Sequence, residues 1–158
     1  LRCMEDEQAE RLPKDNSASF SLHYQKIISD YWIGSVYETF RLLRQRKLDD
    51  ASPAFLEIFA DLELIRMPLE KHELAKDRNL DAPLEMVRNP RNNDAKDIYV
   101  YDPKDDRRAH IMSTAVSSST GSVMWHAIDL TSNSDRWIER RGLSDRIIAL
   151  WISADRAA

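Results

Sequence analysis

The sequence predicts an α+β fold: an N-terminal antiparallel helical hairpin with a kinked or broken second helix, a three-stranded antiparallel β-meander, and C-terminal helices. Three observations predict it. Apolar residues recur at spacings of three and four through the first half of the chain, runs rich in β-branched and aromatic residues follow between turn clusters, and helical spacing returns near the end. Helices, then strands, then helices favour segregated α+β over an alternating parallel α/β arrangement. The 158 residues, 42% of them hydrophobic, suffice for one domain with one core. The expected division is a mobile N-terminal tail over 1–19, a single domain over 20–153 and a frayed C-terminus over 154–158.

The tail assignment rests on LRCMEDEQAERLPKDNSAS, in which only Leu1, Met4 and Leu12 are sizeable apolar groups. Its acidic run Glu5, Asp6, Glu7 does not fit a secretory signal, which needs a basic start and then an apolar stretch. The opening Leu1 fits a fragment or a start codon rendered literally, with Met4 as an alternative start. From about Ser19 to Leu48, Tyr24, Ile28, Trp32, Val36, Phe40 and Leu43 share one helical face, and Ile27, Tyr31, Ile33 and Tyr37 widen it past half the circumference. Such breadth suits a helix packed against several elements, with Trp32 deeply buried at its centre. Gly34 in the interior points to close approach by another backbone. The cations Arg41, Arg44, Arg46 and Lys47 suit the negative end of the helix dipole.

Ser52 followed by Pro53 marks the start of the second helix, a serine cap and then proline at the first position. Its face carries Phe55, Phe59, Leu62 and Ile65, and Pro68 predicts a kink or break near Met67, with helix resuming to about Asn79. The loop RNPRNNDAK, from Arg88 to Lys96, divides the chain. Strands are expected at Asp97 to Asp102, at about Arg108 to Val116, and through SVMWHAIDL after a turn at SSSTGS, with Gly121 supplying a positive φ. Ser132 and Asp135 resemble a capping box for a helix carrying Trp137 and Ile138. A last helix after Gly142 presents Leu143, Ile147, Leu150 and Trp151.

Composition excludes several chemistries. Cys3 is the sole cysteine, so no intrachain disulfide or thiolate zinc site exists and a reducing, cytoplasmic setting is expected. Three glycines are too few for a glycine-rich phosphate loop, and no cofactor is expected. The net charge of −4 gives no global attraction to nucleic acid or anionic lipid. Apolar runs such as IIALWI fall short of the roughly 20 residues that span a bilayer, so no membrane role is expected.

Acid–base or metal chemistry must pass through His23, His72, His110 or His126. If the hairpin turns around Ser118, His110 lies opposite His126 and Met112 opposite Met124, and two imidazoles so placed can share a metal with a third ligand from a loop. In RMPLEKH, Arg66 precedes His72 by six residues. This spacing resembles the Arg-x(4–6)-His pattern of HEPN-type helical ribonucleases, and the resemblance implies an arginine and a histidine acting at an RNA phosphate. It covers about seven residues, and both the internal proline and the later meander depart from that all-helical scaffold. SSST is explained by turn propensity and assembles no serine triad. Arg136, Arg140, Arg141 and Arg146 with Trp137 form a basic aromatic stretch suited to single-stranded nucleic acid, weakened by Glu139 and Asp145.

The reading that follows is a cytoplasmic binding or interaction module without catalytic activity, engaging a protein partner or another copy of itself. The alternative is an RNA-directed nuclease with Arg66 and His72 as its catalytic pair. A metal-dependent hydrolase at His110 and His126 is third.

Overall fold

A computed structural model describes residues 1–14, 20–49, 51–87 and 98–155, and of residues 153–155 the backbone only. The expected loop from Arg88 to Lys96, residues 15–19 of the expected tail and residues 156–158 of the expected frayed end lie outside this set. Among the described residues, four helices and two small antiparallel sheets make a mixed α+β fold. Among the described residues no helix is long and apolar enough to cross a membrane.

Within the expected mobile tail, residues 2–11 form helix α1 (Arg2–Arg11). A ten-residue polar helix is marginal alone. Here it is fastened by charge: Glu5 is fully buried, and Arg140 grips its carboxylate through Nε and Nη2, each at 2.6 Å. Arg141 Nε and the Ser122 hydroxyl donate to the same carboxylate at 3.0 and 2.7 Å. Burial opposes ionisation of Glu5, but these donors outweigh it and hold the carboxyl below its ordinary pKa. Gly121, at φ +66°, lies against α1 so closely that a Cβ would stand 1.9 Å from the Glu5 carbonyl oxygen. The glycine therefore serves both the turn and the helix that packs on it.

Helix α2 (Phe20–Gln45) buries Gln25, Ser29, Ile33, Tyr37 and Phe40. The buried line is thus rotated from the expected one: Tyr24 is half exposed, and Trp32 is only partly buried, with the Arg140 guanidinium 5.6 Å from its ring centre. Helix α3 (Pro53–Lys71) opens as predicted, the Ser52 hydroxyl accepting from the Phe55 N–H at 3.3 Å. Phe40 stacks on Phe55 at 4.8 Å, Tyr37 stacks on Phe59 at 5.4 Å, and Gly34 lies beside Glu70, so the contacts run in reverse order along the two helices. Of the expected kink or break near Met67, the break does not occur, because α3 runs through Pro68 to Lys71. Pro68 falls in the final turns and is buried, so it sacrifices one helical hydrogen bond near an end that is already terminating. His72 stops the helix in the left-handed region at φ 55°, and only a short 3-10 turn, Asp77–Asn79, follows before the strands.

The stranded half holds the expected three-stranded antiparallel meander, but builds it from other segments and adds a second sheet. Strand β1 (Leu84–Val87), with no counterpart in the sequence reading, pairs antiparallel with β2 (Ile98–Tyr101), and these two form their own sheet. The meander consists instead of β3 (Thr114–Val116), β4 (Val123–Asp129) and β5 (Ser134–Glu139). The expected long strand from Arg108 shrinks to β3, since Arg108 and His110 are drawn into side-chain and backbone contacts with the 3-10 turn and the end of α3. The helix expected from Ser132 is β5. Asp129 caps a turn through the Thr131 N–H at 2.8 Å, Asn133 adopts φ 49°, and the chain reverses onto β4. Helix α4 (Arg140–Asp155) follows directly and buries Leu143 and Leu150, with Trp151 nearly half exposed.

The main core gathers the inner faces of α2, α3 and α4 against Val123, Trp125, Ala127 and Ile138 of the three-stranded sheet. A second cluster, Leu74, Met86 and Tyr101 with Ile128 and Leu130 against it, joins the β1–β2 sheet to the other face of β4. Successive β4 residues point to opposite faces. His126 therefore looks away from the main core, toward the smaller cluster.

Candidate functional site

The turn between β3 and β4 decides where the histidines fall. Ser117 and Ser122 close it, the N–H of Ser117 donating to the Ser122 carbonyl at 2.9 Å, and Gly121 N–H returns to the Ser117 carbonyl at 2.8 Å. Register follows: Ala115 lies opposite Met124, and the His126 N–H donates to the Ser113 carbonyl at 2.9 Å. The expected pairing of His110 opposite His126 and Met112 opposite Met124 is therefore displaced by three residues. Both imidazoles still lie in the same region. His110 is buried, its Nδ1 lies 2.6 Å from the Tyr99 hydroxyl, and its Nε2 has no hydrogen-bond partner among the described residues. Burial, reinforced by the charge of His126, pushes its pKa down to about 4, so it is neutral at neutral pH.

His126 makes a different contact. Its Nε2 sits 2.5 Å from Asp135 Oδ2, and its ring lies 5.1 Å from Trp137, its partner across β4 and β5. Both His126 and Asp135 line a cleft of about 320 Å³. One wall is β1, all four of whose residues line it; the other is the end of the β4–β5 hairpin, with Ile128, Asp129, Leu130, Asn133 and Ser134. Glu85, Asp129 and Asp135 supply its carboxylates. Burial acts against the charge of Asp129, but hydrogen bonds from Thr131 and Ser132 and the nearby Arg136 hold it below its ordinary pKa. Among the described residues no three His, Cys, Asp or Glu side chains converge in a way that could hold a metal ion.

Below the cleft lies a polar anchor. The Tyr101 hydroxyl donates to Asp77 Oδ2 at 2.8 Å and accepts from the Leu74 N–H at 3.1 Å, while Arg108 Nε reaches the same carboxylate oxygen at 2.7 Å and Nη2 reaches Glu73 at 3.0 Å. These contacts tie β2 to the 3-10 turn and to the segment just after α3.

Arg66 and His72 fall in different surroundings. Arg66 lies over the Tyr37 ring at 4.7 Å, pairs with Glu70 at 2.7 Å, and lines a groove between α2 and α3. His72 is exposed at the end of α3, its carbonyl accepting the His110 N–H at 2.7 Å, and lines a neighbouring depression with Ile111 and Met112. The basic stretch near the C-terminus is already committed to acids. Arg136 and Arg146 reach Asp61, Arg140 reaches Glu5, and Arg141 reaches Glu5 and Asp6. SSST forms a turn, Ser117 Oγ accepting from the Thr120 N–H at 3.3 Å.

The feature missed from sequence is on the outside of α2. Phe20, Tyr24, Ile27 and Tyr31 are 88, 51, 53 and 77% exposed, at spacings of four, three and four residues. They form a single stripe. It runs into the groove of about 800 Å³ between α2 and α3, lined by Ile27, Tyr31, Gly34 and Leu69, and the adjoining depression adds Ile111, itself 68% exposed. The spacing was legible in the sequence, but was absorbed into a stripe assigned to the core. No protein-family model, curated protein or solved structure matches this chain.

Proposed function

We propose that the protein is a non-catalytic interaction module that associates with a second copy of itself through the exposed face of α2. The observation carrying this reading is the stripe of Phe20, Tyr24, Ile27 and Tyr31. Monomers rarely expose contiguous apolar patches above a few hundred Å². Three aromatics at such exposure, with Ile27 and Ile111, present on the order of 600 Å², against roughly 800 Å² per partner in a standard interface. Tyrosine and phenylalanine are also the side chains enriched where proteins meet.

Symmetry selects the second copy. A two-fold interface must be self-complementary. With the two α2 helices antiparallel, Phe20 meets Tyr31 of the second copy while Tyr24 meets Ile27, and the same pairs recur on the other side of the axis. The spacing of four, three and four matches the period of helices that wrap around each other.

Sedimentation equilibrium of the full chain tests this. A dimer that Tyr31→Glu converts to monomer, with its thermal unfolding unchanged at low concentration, is the expected result. A monomer at every concentration would remove the reading. Cleavage of single-stranded RNA by the wild type, lost in His72→Ala, would replace it with the nuclease.

A further inference from the structure

We propose that the free edge of β1 and the cleft beside it take up an extended peptide segment that alternates apolar residues with Lys or Arg. This site is separate from α2 and does not depend on self-association. Its first support is the strand itself. Among the described residues β1 pairs with β2 alone, so its other edge presents unpaired backbone donors and acceptors. Alternate residues of a strand point to opposite faces. That all four residues from Leu84 to Val87 nevertheless line one cleft means that the cleft follows the edge of the strand rather than one of its faces. A native edge left so is ordinarily covered or charged, and an added strand satisfies its backbone groups.

The second support is chemistry on both sides of the gap. Leu84, Met86, Ile128 and Leu130 offer apolar wall, while Glu85, Asp129 and Asp135 offer carboxylates, and among the described residues no Lys or Arg lines the cleft. Arg136, 4.0 Å from Asp129, is shared with Asp61. Glu85 is exposed, and the Asp135 side chain is 65% exposed even while it holds His126, so both remain accessible to an incoming cation. A segment with period-two alternation can therefore pair its backbone with β1, turn its apolar residues onto Met86 and Ile128, and extend its basic residues to Glu85 and Asp135. The cleft volume, about 320 Å³, sits at the low end for ligand sites and suits side chains rather than a folded domain.

The probe is a capped, fluorescent hexapeptide of alternating Val and Lys, titrated against the full chain by anisotropy. It is expected to bind at least about tenfold more tightly than the same peptide with Glu in place of Lys, and to lose about as much against the Glu85→Lys protein. Backbone pairing has its own arm. Two peptides, each N-methylated on one alternate set of amides, should differ, the set facing β1 losing at least about tenfold and the other retaining binding. Equal binding of both methylated peptides and the parent would overturn edge pairing. Equal binding of the basic and acidic peptides, or no binding of the basic one, would overturn the proposal altogether while leaving the α2 interface untouched.

Discussion

The two halves of α2 are built inside out relative to each other. In the C-terminal half the usual rule holds: Ile33, Tyr37 and Phe40 are buried, while Thr39, Arg41 and Arg44 face outward. In the N-terminal half the inward line is polar, Gln25 and Ser29, and the outward line is Phe20, Tyr24, Ile27 and Tyr31. The inversion has a cause on its inner side. There α2 meets the polar joint of α1 and the β3–β4 turn, where Gln25 Nε2 donates to the Gly121 carbonyl and Gln8 reaches Ser21, each at 2.8 Å. One half of the helix is a core element, whereas the other is a polar joint inside and an apolar surface outside.

The largest effect should come from the core half. Phe40→Ala removes a fully buried ring stacked on Phe55 and should cost about 3 to 5 kcal/mol in a denaturant titration. A loss below about 1 kcal/mol would mean that the C-terminal half of α2 is not a core element.

Next comes the joint. Glu5→Gln leaves the buried Arg140 guanidinium without its counter-charge and should cost on the order of 3 kcal/mol near neutral pH. The sign with pH follows from the lowered pKa of Glu5. Its contribution is complete above the ordinary value of 4.5 and is lost as pH falls through the lower folded value, so the gap between wild type and variant should close in acid. A gap constant down to pH 2 would mean that Glu5 is not ionised in its site.

Trp32 lies between the two regimes. Only partly buried, with Arg140 over its ring, it should lose about 2 kcal/mol on Trp32→Ala, less than the cost of a fully buried aromatic. A cost equal to that of Phe40→Ala would place the boundary between the two halves further toward the N-terminus.

The smallest effect belongs to the outward stripe. At concentrations where the chain is monomeric, Tyr31→Ala should change unfolding stability by no more than about 0.5 kcal/mol. A larger cost, measured by thermal unfolding in dilute solution, would show that the tyrosine supports the fold itself.

How far this was legible in the sequence depended on whether the deciding contact was local. Ser52 and Pro53 announced α3 because capping is a contact three residues long. The stripe of α2 announced the helix, but once apolar residues covered more than half its circumference, periodicity could not say which side faced in. Helix α1 was illegible because its decisive contact joins Glu5 to Arg140, 135 residues away. Ser132 and Asp135 resembled a cap, yet Asp135 bonds His126 across the sheet, and tertiary pairing made the segment a strand. For the candidate cleft, the sequence pointed to His126 but set it opposite His110, whereas its side-chain neighbour is Asp135. Register depended on a turn closed at Ser117 and Ser122, and the β1 wall lay in LEMV, which has little strand character of its own.

The most direct test of the α2 interface is disulfide capture between copies. In a Cys3→Ser background, Phe20→Cys and Tyr31→Cys proteins are mixed, oxidised mildly and compared with each alone. The two positions are about 16 Å apart along one helix, so only antiparallel packing brings one copy's position 20 against the other's position 31. The mixture should cross-link readily into heterodimers while neither protein alone does. Cross-linking of Phe20→Cys with itself in preference to Tyr31→Cys, or none in the mixture, would contradict it.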